Sequence, residues 1–514
     1  MTNIRLYTPT ICSTGYALFL AVNATAVWGG VFPFLPLVIQ TPAFVSSFYL
    51  SQSLAFGLAF FLSSFSIYIL PRLSQRFLIW DTGAPYFLGW ICLITSIYLR
   101  DYAQSLAILG GLLIGVGSAG FYMAWQRLFS AQKTQEGNRG IIMGTLMAPV
   151  FYFALYLIPV AVTVYLIPFV FMPLFALSVL ITSREIDKNQ PMFLDTPRTR
   201  PATYKQALKD YWRGSLCIGS FALACGIMRA IAIETPQMGT IVNIIAMVSM
   251  FIAAALFLIT WEKQVFKLNI LNAYRLLFPF VISAFVIMPF FGKNYLIYLS
   301  AILYALYNCA IILMMAQCAQ ASRDRGVNPV FIYGFMGGIV YLLHAAGYLL
   351  GAVAENSAFM NLNPSQTLAI FAIYLLALMH FVGQGGFKQA MSPNMTSVDP
   401  IELIPTGGTP ATRYRPSASA EPGMEQVVYQ DRISKQCSIL KRHYKLSDRE
   451  AEIIELVARG NTITRIADEL NISINTVKSH TKHIYTKLDI HKKQEMLDIL
   501  NSFELNTFKE NDTD

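Results

Sequence analysis

The sequence predicts an all-α chain in two parts: a bundle of twelve membrane-crossing helices, followed by a small soluble helical domain. Three observations predict it. Hydrophobic residues make up 55% of the 514 residues and charged residues only 13%, about half the charged share of an ordinary globular protein. Twelve apolar segments lie between residues 14 and 387, each of about the 20-residue length that crosses a bilayer as a helix. Residues 430–514, by contrast, have the composition and helix periodicity of an ordinary soluble domain.

The apolar segments are 14–39, 44–70, 79–99, 105–129, 140–158, 160–182, 214–233, 238–260, 272–291, 295–319, 329–353 and 366–387. A polar loop at 183–213 divides them six and six. The first is too long for the apolar core of a cleavable signal peptide and lacks a small-residue cleavage site after it. Loop charge sets the orientation. With the N-terminus inside, the cytoplasmic loops and helix ends hold nineteen Lys and Arg, seven of them (Arg184, Lys188, Arg198, Arg200, Lys205, Lys209, Arg213) in the central loop. The outer side holds three: Arg100, Arg229 and Lys293. Both termini are therefore expected in the cytoplasm.

Six helices, a long polar loop and six more helices resemble the major facilitator superfamily of transporters, across residues 10–388. The resemblance implies two six-helix halves. The loop Leu70-Pro71-Arg72-Leu73-Ser74-Gln75-Arg76 keeps two arginines of that family's motif but neither its glycine nor its aspartate. The run Gly115-Val116-Gly117-Ser118-Ala119-Gly120 lacks the arginine that often precedes it there. These departures fit a body that binds a ligand without pumping it. The same run spells G-x-G-x-x-G, but a dinucleotide site needs a strand before it and a βαβ unit around it. Inside an apolar helix, small residues instead permit close helix packing.

Polar groups inside membrane helices are costly and point to function. Gln52, Trp125, Arg229, Glu234, Asn243, Asn308 and His344 are the candidates for a small-molecule pocket. Interhelical hydrogen bonding is the plainer role for each. The seven cysteines form no CxxC and read as small apolar packing residues. No histidine, cysteine or carboxylate spacing suits a metal, and no nucleophile constellation appears. Neither a cofactor nor an enzymatic activity is expected.

Residues 389–424 carry six prolines, Gly407-Gly408 and many Ser and Thr. They read as a flexible tether, too poor in apolar surface to fold. Within 425–445, Tyr429, Ile433, Cys437, Leu440 and Tyr444 recur on one face of an amphipathic helix.

A domain follows at 446–505. Ser447 and Glu450 form a capping box at the start of its first helix. Ile453, Ile454, Leu456 and Val457 are its buried face. A second helix spans 463–470 after Thr462. Ser473 caps a third from Ile474 to Leu488, with Val477, Ile484 and Leu488 inward and Lys478, Ser479 and Lys482 opposite. From Lys441 to Asp514 there are twelve Lys or Arg against thirteen Asp or Glu, so bulk charge predicts no nucleic-acid binding. Between Ser473 and Lys493, however, stand five Lys and one Asp, a local excess that would attract phosphates. A short helix, a turn and a longer helix place the second of the pair in the DNA major groove. Histidines 443, 480, 483 and 491 have no companions for a metal site. A fourth helix at about 492–502 carries two apolar stripes, Leu497 with Leu500 and Met496 with Ile499 and Phe503. One faces inward and the other is free for a dimer contact.

Leu446-Ser447-x-Arg449-Glu450, Ala458-x-Gly460, Ile466-Ala467, Leu470, Ser473, Thr476-Val477-Lys478, His480, Ile484 and Lys487-Leu488 together resemble the LuxR family of bacterial regulators across the whole domain. The resemblance implies a four-helix domain that binds promoter DNA, usually as a homodimer, with Lys478, Ser479 and Lys482 reading bases. Thr462, Arg465, Ser473, Asn475, Thr476 and Lys487 complete the DNA-facing set, the last three through phosphates. Arg465 stands where the family usually has Glu. Two functions follow. One is a membrane-bound one-component transcription regulator that senses a small molecule. The other is an active transporter of the facilitator type with an attached DNA-binding module.

Overall fold

The computed structural model describes residues 8–26, 32–69, 79–187, 190–194, 196–233, 236–263, 266–268, 270–290, 293–355, 364–383, 401–403, 432–458, 463–470, 472–492, 495–496 and 499–500. Among them, twelve helices fall on the twelve apolar segments. They are α1 (Ile11–Ala26), α2 (Pro42–Ile69), α3 (Ile79–Tyr98), α4 (Ala103–Ala131), α5 (Thr134–Leu155) and α6 (Val160–Glu185) in the first half. The second half holds α7 (Pro201–Ile233), α8 (Pro236–Lys263), α9 (Ile270–Ile287), α10 (Lys293–Arg325), α11 (Pro329–Glu355) and α12 (Pro364–Gly383). Seven of the described helices are long and apolar enough to cross a bilayer by length and composition alone. Leu62, Phe65, Phe169, Phe280 and Tyr374 stand exposed on the outside of the bundle, as an apolar solvent around it requires.

The halves meet along α2 against α11, α5 against α8 and α4 against α10. Within the first half, glycines let α4 approach its neighbours closely. A Cβ on Gly115 would lie 2.6 Å from the Gln52 carbonyl oxygen of α2, and one on Gly117 only 2.5 Å from Tyr86 of α3. The G-x-G-x-x-G run is thus a two-sided packing surface on α4.

Two boundaries differ most from the sequence reading. The first segment does not stay helical to 39. Pro33 and Pro36 lack N–H donors, and the chain turns at 32–36 before a 3-10 turn at Leu37–Ile39. The Gln40 side chain clamps this turn: its Oε1 accepts from Phe32 N at 3.0 Å, and its Nε2 donates to the carbonyls of Phe32 and Leu35. The seventh helix starts at Pro201, not 214. Proline suits the first turn of a helix, and this helix runs on beyond the apolar stretch into the central loop.

The chain is not helical throughout. Strand β1 (Phe266–Leu268) pairs antiparallel with β2 (Ile401–Leu403), Lys267 opposite Glu402. This small ribbon joins the tether region to the loop between α8 and α9.

The C-terminal domain has its own core, in which Cys437, Leu440, Ile453, Ile454, Ile466, Val477, Ile484 and Leu488 are buried. Its described helices are α13 (Arg432–His443), α14 (Asp448–Ala458), α15 (Ile463–Leu470) and α16 (Ile474–Leu488). In the fourth-helix region Met496 and Leu500 are buried together, one from each stripe read in the sequence. Ile499 is half-buried beside them, while Leu497 and Phe503 lie outside the residues whose side chains are described.

The capping box is formed. Ser447 N donates to Glu450 Oε2 at 2.8 Å, and Glu450 N donates to Ser447 Oγ at 3.3 Å. Glu450 is buried and also takes Lys487 Nζ at 2.7 Å, which ties α14 to the end of α16. Arg449 Nη2 donates to the Leu470 carbonyl at 2.7 Å, tying α14 to α15. Burial pushes the Glu450 carboxyl up, but the Lys487 and Ser447 hydrogen bonds outweigh it and hold it below its ordinary value. A carboxyl depressed in the fold contributes stability above its unfolded value, and loses it as pH falls through the folded one. Glu450→Gln is therefore expected to destabilise the C-terminal domain by about 1–2 kcal/mol at neutral pH. The difference should shrink only as pH falls below the ordinary carboxylate range, through the depressed folded value. Thermal melts of both proteins from pH 7 down to about pH 2 check it; a difference that persists unchanged to the acid end would show that Glu450 does not act through its charge.

Candidate functional site

Two sites stand out, one in each part of the chain. In the membrane bundle a cavity lies between the halves, and the empty space in it and at its open mouth is about 830 Å³. Gln52 of α2, Arg229 of α7, Asn308 of α10 and His344 of α11 all line it. The sequence thus identified four of the lining residues from four different helices. Trp125 does not line the cavity. It is fully buried beside Tyr16, at 5.6 Å between ring centroids, and stacked on Phe129. Asn243 is buried within reach of the Tyr152 hydroxyl, also off the lining. Glu234 lies outside the described residues.

The rest of the wall is aromatic and methionine-rich: Tyr16, Tyr122, Tyr304, Tyr307 and Tyr341, with Met247, Met250 and Met315. Sequence reasoning missed these, because tyrosine inside an apolar run looks like packing. The available signal was the count, 26 tyrosines in this chain.

Close packing of α7 on α11 brings Arg229 and His344 to the same wall. A Cβ on Gly226 would lie 2.1 Å from the His344 carbonyl oxygen, and one on Gly347 would lie 2.1 Å from that of Leu223. The Arg229 guanidinium sits 3.8 Å from the centre of the Tyr49 ring, and Tyr49 stacks in turn on Phe32 at 5.4 Å and 4°. The turn clamped by Gln40 therefore supplies the base of this stack. Toward the central loop, the halves are bridged. Gln126 Nε2 donates to the Met315 carbonyl at 3.2 Å, and Arg323 Nη1 to the Phe129 carbonyl at 3.0 Å.

The second site is the outer face of α16. Ser473 caps it, its Oγ accepting from Thr476 N at 3.1 Å. Asp489 closes it in a left-handed conformation at φ 54°, which short polar side chains tolerate better than most. Val477, Ile484 and Leu488 are buried. Ser473, Asn475, Thr476, Lys478, Ser479 and Lys482 are all exposed, so the expected reading face is presented to solvent. Lys487 differs: its ammonium is held by Glu450. Thr462 lies outside the described residues, and of Arg465 only the helical backbone is described.

Residues 444–500 match the family described as bacterial regulatory proteins, luxR family. The response regulatory protein YgeK of Escherichia coli strain K12 is 31% identical over 115 residues, covering 20% of this chain and 76% of that protein. The chain belongs to the luxR family of bacterial regulatory proteins. The oxygen regulatory protein NreC of Staphylococcus haemolyticus is 45% identical over 53 residues, 10% of this chain and 24% of NreC. The chain thus spans about a quarter of that relative's length. In three dimensions the chain is similar to the fucose:proton symporter FucP of Escherichia coli, with a TM-score of 0.43 and 14% identity over 73% of this chain and 97% of that one. It is also similar to the human organic anion transporter MFSD10, at 0.48 and 13% over 75% and 100%. A third likeness is to the major facilitator proton:xylose symporter XylE, at 0.47 and 11% over 76% and 97%. These likenesses say nothing of what this luxR-family chain binds.

Proposed function

We propose that the chain is a membrane-bound, one-component transcription regulator. Its bundle takes up a small molecule in the cavity between the halves, and its C-terminal domain binds promoter DNA as a homodimer. The observation that carries this reading is the exposed Lys478–Ser479–Lys482 face of a luxR-family domain, in one chain with a membrane bundle. Lysine donates to guanine O6 and N7, and serine bonds either kind of base edge. Ser473, Asn475 and Thr476, at the helix N-terminus, suit phosphate contacts that position without specifying. The bridged end of the bundle faces the central loop, so a ligand enters from the opposite, outer side.

The excess of lysine and arginine on the central-loop side supports an inner membrane location with both termini in the cytoplasm. Fusion of reporters after Asp514 tests it. A fluorescent protein that matures in the cytoplasm is expected to be bright there, and a phosphatase that needs the periplasm to be inactive. An active phosphatase would place the domain away from the chromosome and end the proposal.

A further inference from the structure

Among the described residues, the cavity wall has a charge that nothing on it balances. Arg229 is only 2% exposed, and its Nε and Nη2 have no hydrogen-bond partner. No Asp or Glu stands among the described lining residues. Stacking on Tyr49 satisfies the face of the guanidinium but leaves its in-plane donors open. The same wall carries further unpartnered groups: Gln52 Nε2 and the Tyr122 and Tyr304 hydroxyls, all buried. An uncompensated cation inside a membrane bundle is expensive, and so is each donor without an acceptor. Among the described residues, the wall therefore lacks a partner for these groups. What completes it must be negative and rich in acceptors.

We propose that the cavity binds a small organic monoanion, a carboxylate on an aromatic-sized apolar body, with Arg229 as its counter-charge. The proposal rests on the reading of the bundle as the ligand-sensing part. A guanidinium offers two parallel donors that match the two oxygens of a carboxylate. One cation balances one negative charge, so a dianion would bring a second charge with no partner. An inorganic anion would fill the arginine corner and leave the tyrosine and methionine wall unoccupied. A flat apolar body suits that wall, since aromatic faces stack and methionine adapts to irregular shapes. Asn308 and His344 are left to meet polar substituents on the ring.

The test uses the full-length protein in lipid nanodiscs and compares matched probes: benzoate, 3-phenylpropanoate and indole-3-acetate, each against its primary amide. At saturating probe, at least one carboxylate is expected to raise the unfolding midpoint by ~2–5 °C, with its amide giving no shift. In Arg229→Gln the carboxylate shift is expected to vanish. Because that variant could fold poorly, the comparison of acid with amide on the unaltered chain stands alone as a test. If the amides shift the midpoint as far as the acids, and Tyr307→Ala removes both shifts, the anion assignment is overturned while the cavity remains the ligand site. If no probe of either charge shifts the midpoint, the anion assignment falls, and with it the support for the cavity as sensor.

Discussion

Replacing both Lys478 and Lys482 by alanine is expected to lower promoter affinity by roughly 30-fold to 10⁴-fold, at about 1–3 kcal/mol for each lost base contact. Both side chains are exposed on the face of α16 opposite the buried Val477, Ile484 and Leu488. Their removal therefore leaves the domain core intact. Membrane insertion and the thermal midpoint should stay as they were. Asn475→Ala should behave differently, weakening binding by a similar modest factor on every sequence, because a phosphate contact carries no base information. Gel shifts of the full-length protein on target and scrambled duplexes separate the two effects. Unaltered affinity in the double variant would remove α16 as the reading helix.

Gly226→Ala is expected to disrupt the membrane part as strongly as many larger changes. Its new Cβ would stand 2.1 Å from the His344 carbonyl oxygen and 2.8 Å from the Tyr348 nitrogen. Both are backbone atoms and cannot rotate away. The α7–α11 contact must open, and with it the wall that holds Arg229 and His344. A loss of about 3 kcal/mol or more fits such overpacking, enough to abolish any ligand response. Gly83→Ala is the control. Its nearest neighbours would be Met172 Cε and Phe121 Cζ, both at 3.9 Å, which is ordinary contact. Alanine also favours the helix interior over glycine by up to about 1 kcal/mol. Size-exclusion profiles and melting midpoints of the two variants check the contrast; equal behaviour would mean that glycine spacing does not set the helix crossings.

The positions of the twelve helices were legible because burial in lipid demands long apolar runs, and such runs survive any detail of packing. Helix ends were less legible. Residues 32–39 are as apolar as a membrane helix, and hydropathy alone does not register that Pro33 and Pro36 break it. At α7 the error ran the other way: polar residues at 201–213 hid a helix that extends past the bilayer. In the cavity, Gln52, Arg229, Asn308 and His344 were visible as polar interruptions of apolar helices. The tyrosines were not, since one residue type serves as core, as interfacial anchor and as binding wall. Trp125 was misplaced because position along a helix does not say which neighbour it faces. In the C-terminal domain the caps and the α16 stripe were legible from local rules. The Glu450–Lys487 ion pair was not, because it joins residues 37 apart. Nor was the union of Met496 with Leu500, which share a helix face but had been assigned to different stripes.

Chromatin pull-down of the full-length chain from intact cells tests the central claim most directly. A chain that anchors a luxR-family domain at the membrane should recover a small set of promoter fragments, and the Lys478→Ala, Lys482→Ala double variant should recover none of them while remaining in the membrane fraction. Recovery of the same fragments by both proteins, or of no discrete fragments by either, would contradict the account.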